Sequence, residues 1–224
     1  MAEQRLILTL GLIGGTGKEG KGLAYRWARA GYNVIIGSRT KEKAETAAQE
    51  LNQRLGGEPV RGMLNPDAAW ACDIAILTVP YEAHTATLES VRETLAGKVL
   101  VDVTVPVRPP KVSVVHVPAQ GSAAQEAQAL LGDQVRVVSA FQNVSHEHLV
   151  EDHPIACDVL VSGDDAEAKK QVLLLVEAAG MVGWDAGPLP NAVVAEGLTS
   201  VLIGINRRYK MKGAGIRITG IDQT

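Results

Sequence analysis

The sequence predicts an α/β protein on a doubly wound parallel sheet, with a small C-terminal helical segment. Three observations carry that expectation. Short apolar runs alternate with amphipathic, alanine-rich stretches over most of the chain, the pattern of repeated strand–helix units. The first run, Leu6 to Ile13, feeds directly into a glycine turn, Gly14-Gly15-Thr16-Gly17-Lys18-Glu19-Gly20. That turn opens a helical pattern with Leu23, Trp27 and Ala30 on one face, ended by Gly31.

The later elements follow in order. Asn33 to Ile36 reads as a second strand, and Lys41 to Leu55, rich in Ala, Glu, Lys and Gln, as a helix. Val60 to Met63 is a short strand. Asn65-Pro66-Asp67 opens a short helix, with Asn65 as N-cap and Pro66 at the first helical position. Asp73 to Val79 is a buried strand, Glu82 to Leu95 a helix, and Val99 to Val103 the next strand. Val105 to Gly121 carries Pro106, Pro109, Pro110 and Pro118 and reads as a loop with extended pieces. Ser122 to Leu131 is a helix, and Val135 to Phe141 and Ala156 to Ser162 are strands. Asp164-Asp165 starts a helix to about Ala179, its acids suited to the helix dipole. Gly187-Pro188-Leu189-Pro190 punctuates the chain, so the expected division is a sheet domain of residues 1–187 and a helical segment of residues 188–224. That segment is one long helix from Asn191, striped by Val194, Leu198, Val201, Leu202 and Ile205. It is too short to form its own core, so it packs on the sheet domain, on a second subunit, or on both.

Composition narrows the function classes. The chain has 224 residues, 46% hydrophobic and 21% charged, ordinary for a soluble globular protein. A net charge of −3, no basic stripe and only 4% aromatics argue against nucleic acid. No apolar run reads as long enough to span a membrane. Met1 to Arg5 runs straight into the first strand, so no signal peptide is expected. Cys72 and Cys157 read as buried free thiols, which fits the cytoplasm.

The glycine spacing Gly15-x-Gly17-x-x-Gly20, between a strand and a helix, is the context of a dinucleotide loop. The glycines admit a pyrophosphate and the helix start offers free N–H groups. An NAD site ends its second strand with an acid for the ribose 2′-hydroxyl. Here Gly37-Ser38-Arg39-Thr40 stands there, with Lys41 and Lys43 beyond. A carboxylate repels a 2′-phosphate, whereas a hydroxyl and a guanidinium bind it, so the reading is NADP. Ligands of open α/β sheets lie beyond the carboxyl ends of the strands, which adds Val79-Pro80-Tyr81, Val103 to Pro106 and Phe141 to Val144. His146, His148 and His153 make no metal pattern and read as loop surface, with ligand contact by His146 a minority reading. The motifs hold no evident catalytic acid, base or nucleophile. Hydride exchange between two rings needs none at the reacting carbons, only face-to-face positioning.

Ile13-Gly14-Gly15-Thr16-Gly17 with Gly20 to Ala24, Gly37-Ser38-Arg39 with Lys43, Asp73 to Pro80, Gly163-Asp164-Asp165 and Asp185-Ala186-Gly187-Pro188-Leu189 together resemble the NADPH-dependent F420 reductases. The resemblance covers nearly the whole chain. It implies a small Rossmann domain, a C-terminal segment covering the F420 pocket, a homodimer, and hydride transfer between nicotinamide C4 and deazaflavin C5. By matching segments it implies that Gly15, Thr16, Gly17, Lys18 and Glu19 meet the pyrophosphate and that Ser38, Arg39 and Lys43 hold the 2′-phosphate. Val79, Tyr81 and Thr85 lie along the nicotinamide half. Gln142, Asn143, Val144 and His146 floor the space between the rings, and Leu202 and Ala214 contact F420. The chain departs from the family pattern at Lys18-Glu19, where a neutral Asn-Leu pair is usual, and at Gln142, where archaeal members carry His. Two other readings stay open: NADPH-dependent reduction of a flavin, metal chelate or imine, and a non-enzymatic NADP(H)-sensing module.

Overall fold

The computed structural model describes residues 8–220. Leu6 and Ile7, the start of the first expected strand, lie outside them. In chain order the strands are β1 (Thr9–Ile13), β2 (Asn33–Ser38), β3 (Val60–Leu64), β4 (Ile74–Leu77), β5 (Val99–Asp102), β6 (Arg136–Ser139), β7 (Asp158–Gly163) and β8 (Val182–Asp185). The helices are α1 (Lys18–Arg29), α2 (Lys41–Leu55), α3 (Asn65–Ala71), α4 (His84–Val91), α5 (Ala123–Leu131), α6 (His146–Leu149), α7 (Ala166–Ala178) and α8 (Ala192–Tyr209). Short 3-10 turns at Tyr81–Ala83 and Arg92–Leu95 flank α4, so the one helix expected over 82–95 is three pieces.

The sheet runs β3-β2-β1-β4-β5-β6-β7-β8. Its strands are apolar on both faces because both faces are covered. Leu10, Leu12, Ile74 and Ile76 point into a core roofed by α1, α2 and α7. Ile13, Ala75, Leu77 and Leu100 point the other way, under α3, α4 and α5.

Four expectations change. The sheet is parallel except between β6 and β7, which pair antiparallel. A parallel partner needs a crossover that packs back on the sheet, usually a helix; residues 140–157 contain only the one-turn α6 and fold back across the sheet end. The edge strand β8 was not anticipated; its residues are half-buried or exposed, and Gly183 and Trp184 interrupt any apolar run. Asn65 is the first residue of α3 rather than its N-cap, and its side chain goes elsewhere. Residues Leu189–Tyr209 are long and apolar enough, by length and composition, to cross a membrane. Yet Leu189 and Ala192 belong to the core, and α8 packs against α5 and β7. It turns Ala192, Ala195, Glu196, Ser200 and Leu202 inward, while Val194 and Val201 of the expected stripe stay exposed.

Arg26 ties the irregular 140–157 segment to this frame. It is buried on α1. Its guanidinium donates to the carbonyls of Leu149 (3.2 Å), Ala179 (3.0 Å), His148 (3.0 Å) and His153 (3.0 Å), and also to that of Glu151. Five acceptors that strand hydrogen bonds do not serve are satisfied by one side chain. Arg26→Ala is therefore expected to cost about 3 kcal/mol or more, since bonds to a charged donor contribute roughly 1.5–3 kcal/mol and several acceptors lose it together. Arg29→Ala, which removes an exposed ion pair with Asp152 at 2.7 Å and an exposed bond to the Asp152 carbonyl at 3.2 Å, is expected to cost under about 1 kcal/mol. Denaturant midpoints of the two variants check this; equal losses would refute the hub role of Arg26.

Candidate functional site

The glycine turn at the end of β1 is set by backbone contacts. A Cβ on Gly20 would sit 2.7 Å from Gly15 Cα and O, so only glycine lets the first turn of α1 close on the strand end. Gly14 holds a φ of +73°, and its N–H donates to Asn65 Oδ1 at 3.0 Å. Gly15 N–H donates to the carbonyls of Leu12 (3.1 Å) and Gly37 (3.0 Å), which fastens the turn to β2. Gly17 caps α1 without any side-chain cap, and nothing lies within 4 Å of where its Cβ would be. An uncapped helix start with open space before it fits a pyrophosphate.

Ser38 ends β2, buried, with its Oγ accepting from Thr40 N–H at 3.4 Å. Arg39 and Lys43 are exposed beside it, and among the described residues neither makes an ion pair. Lys41 is turned to Glu45 on its own helix at 3.5 Å. Two free cations and a hydroxyl at this strand end fit a 2′-phosphate.

Two cavities open at the carboxyl end of the sheet. One, of about 690 Å³, runs between Gly17, Lys18 and Glu19 on one side and Val79 and Tyr81 on the other. The second, of about 490 Å³, is floored by Gln142, Asn143 and Val144, with His146 at its side and Leu202 and Ala214 above. Glu19, Val103 and Val105 line both, so the cavities share a wall. Thr85 does not join them: it is exposed on α4, outside both linings.

The floor is rigid and its polarity is defined. Phe141 adopts a φ of +73°, uncommon for a non-glycine residue, and its ring packs edge-on against Trp27 at 5.6 Å. Gln142 Nε2 donates to Asp102 O (2.7 Å) and Ser139 Oγ (2.9 Å). Asn143 Nδ2 donates to Asp158 O (2.7 Å) and Cys157 Sγ (3.3 Å). With both amide nitrogens engaged, Gln142 Oε1 and Asn143 Oδ1 are left buried without partners. Buried acceptors without donors are costly unless a ligand's N–H groups meet them.

The tail closes this cavity. Thr199 Oγ1 donates to Gln142 O at 2.6 Å. Ala214 N–H donates to Asn206 Oδ1 at 3.0 Å, and His148 Nε2 meets Gly213 O at 2.8 Å. His148 is thus a fastener of the tail rather than loop surface. Both cysteines are buried and free, and burial pushes the Cys72 thiol up to about 11.

Sequence reasoning missed a buried polar group beneath the first cavity. His84 Nε2 meets Asp102 Oδ2 at 2.7 Å, with both side chains out of solvent. Burial opposes a charge on His84, but the Asp102 contact holds its pKa above the usual histidine range. Asp102 Oδ1 also accepts from Thr104 N–H at 2.9 Å, shaping the turn after β5. Glu196 accepts from Ala123 and Ala124 N–H (2.8 and 3.1 Å), so α8 caps α5. Burial still pushes that carboxyl up to about 8. His84 and Glu196 are residues apart in the chain from any motif, and only the fold joins them.

Comparison with known proteins agrees with this geometry. The family described as NADP oxidoreductase, coenzyme F420-dependent, matches residues 9–106. An F420-dependent NADP reductase of Methanocaldococcus jannaschii is 42% identical over 96% of this chain and 100% of its own. One from Methanothermobacter thermautotrophicus is 40% identical over 97% of each. A solved structure of an F420-dependent NADP-reductase from Arthrobacter sp. FB24 superposes with a TM-score of 0.80. It is 26% identical and covers 95% of this chain and all of the other. Relatives 40–42% identical over nearly the whole length mean that the chain belongs to the F420-dependent NADP reductase family.

Proposed function

We propose that this chain is an enzyme that passes a hydride between NADP(H) and coenzyme F420, in the cytoplasm and as a homodimer. The observation that carries the reading is the shared wall: two cavities at the sheet end that meet at Glu19, Val103 and Val105. The bound coenzymes supply the chemistry, a hydride donor carbon on one ring and an acceptor carbon on the other. The chain's residues bind, orient and exclude water.

Residues 1–187 supply the NADP half. The N–H groups from Gly15 to Glu19 receive the pyrophosphate, Ser38, Arg39 and Lys43 the 2′-phosphate, and Val79 and Tyr81 flank the nicotinamide. Residues 188–224 cover the F420 half, with Leu202 and Ala214 closing the cavity over Gln142, Asn143, Val144 and His146. The fixed acceptors of Gln142 and Asn143 favour a deazaflavin edge over a metal chelate, which offers no N–H donors. The exposed face of α8 supports the dimer: Val194 is 59% and Val201 46% exposed, and the 44% exposed Val115 sits against Gly197. Apolar side chains grouped in this way favour an interface.

Three outcomes test these assignments. Arg39→Ala is expected to weaken NADPH by about 2 kcal/mol, the worth of a charge-assisted hydrogen bond, with NADH use unchanged. Equal loss of both cofactors would make Arg39 structural. His146→Ala is expected to keep substantial turnover in an F420 reduction assay, well short of the roughly 10²–10⁴-fold loss that follows removal of a general base. Near-complete loss with binding intact would assign it proton transfer. Charging the α8 face with Val194→Lys and Val201→Lys is expected to turn a sedimenting dimer into a monomer with NADPH affinity retained; a wild-type monomer at micromolar concentration refutes the interface.

A further inference from the structure

Glu19 has one oxygen with no work in the backbone contacts just described. It stands in the first turn of α1 and is part of the wall common to both cavities. Its Oε1 is screened from solvent and has no hydrogen-bond partner. The charged and titratable groups facing the same spaces are His146, Glu147 and Lys212 around one cavity. Around the other they are Lys18, Tyr81, Glu82 and Arg108. Tyr81 is engaged with Glu126 at 3.0 Å, and His146 lies 3.5 Å from Glu147. None of the described cations forms an ion pair with Glu19. No ion pair offsets burial, which pushes the carboxyl up to about 8. The shift favours the uncharged acid over the carboxylate in this cleft.

Hydride exchange between the two coenzymes leaves one proton to be placed. The hydride brings two electrons and one hydrogen nucleus to the deazaflavin, and the reduced coenzyme carries two hydrogens. The second arrives as H⁺. We propose that Glu19, at the junction of the two cavities, is the residue that carries this proton. As the deazaflavin is reduced, the Glu19 O–H bond breaks and an N–H bond forms on the pyrimidine edge of the ring. Glu19 is left as a carboxylate beside the newly cationic nicotinamide, an opposite charge that steadies it. Water at the cavity mouth then returns a proton to Glu19. The reverse reaction runs the same proton back. The inference rests on the hydride exchange proposed above and adds an acid to a site whose motifs display none.

Two measurements on the full chain and on Glu19→Gln test it. The first needs no turnover. NADP⁺ and NADPH are titrated calorimetrically into the protein without F420, at pH 7.5, in buffers of different ionisation enthalpy. The cationic ring of NADP⁺ draws a proton off Glu19 and the neutral ring of NADPH does not. The two coenzymes are therefore expected to differ by a sizeable fraction of one released proton in the wild type, and not at all in Glu19→Gln. The 2′-phosphate titrates alike in both and cancels. The second is the pH profile of F420 reduction. Wild-type kcat is expected to fall tenfold per pH unit above about 8, where the acid is lost. Glu19→Gln is expected to be flat there and about 10²-fold slower, the low end of a general-acid contribution. Thermal midpoints verify folding, and Glu19→Leu replaces Gln if the amide disturbs it. A variant that keeps the wild-type proton difference, rate and profile overturns the role of Glu19 while leaving the hydride exchange intact. A wild-type protein that binds NADPH but passes no hydride to F420 overturns the proposed function and this proposal with it.

Discussion

The close approach of Gly20 to Gly15 is the constraint from which the rest of the site follows. With a Cβ placed at Gly20 only 2.7 Å from the Gly15 backbone, any side chain there would push α1 away from the end of β1. The turn would then lose its bond from Gly15 N–H to Gly37 O (3.0 Å), and with it the register between the glycine turn and the end of β2 at Ser38. The helix start would no longer aim its uncapped N–H groups into the cleft. A steric requirement on one glycine thus becomes an electrostatic property of the cavity mouth.

The two halves of the cleft are built by different means. The glycine turn beside the first cavity is shaped by backbone: close glycine contacts, an uncapped helix terminus, and a bond that Gly14 N–H donates to the Asn65 side chain. The floor of the second cavity is side chains held by backbone carbonyls and by other side chains. Asp102 illustrates the cost and the return. Burying its carboxylate is unfavourable alone. His84 and the Thr104 N–H satisfy its oxygens, and its own carbonyl orients Gln142. Asn143 is fixed in the same way by Asp158 O and Cys157. Both amide nitrogens are engaged, which leaves Gln142 Oε1 and Asn143 Oδ1 as the unpaired acceptors.

This difference explains what was legible in the sequence. The glycine spacing, the strand tip at Ser38-Arg39 and the paired apolar runs are local patterns, and the structure has them within a few residues of the expected ends. The helix over Lys41–Leu55 was read to the residue. Direction of a strand leaves no mark on its residue pattern, so the antiparallel β6–β7 pairing was invisible, as was β8 with its half-buried Gly183-Trp184. His84, Asp102 and Glu196 come from three distant elements, and no spacing rule joins them. Thr85 was carried over with its neighbours Val79 and Tyr81, but the 3-10 turn at Tyr81–Ala83 separates them, and Thr85 faces solvent on α4.

Glu19 combines both kinds of information. Its position in the glycine turn is a sequence fact, and acids suit the first turn of a helix because the dipole stabilises their charge. Position alone therefore reads as a charged carboxylate, lowered rather than raised. The structure reverses that sign. The side chain lies in the wall between two cavities with its Oε1 screened from solvent, and no described cation forms an ion pair with it. Loss of hydration outweighs the dipole, because the dipole contributes about 1 kcal/mol at an exposed site while removing a carboxylate from water costs several. An acid in that position is neutral when the cleft is ready to receive its coenzymes and becomes anionic only when a positive ring lies beside it. Its charge then follows the redox state of the nicotinamide, which is what a site that must move one proton for each hydride requires.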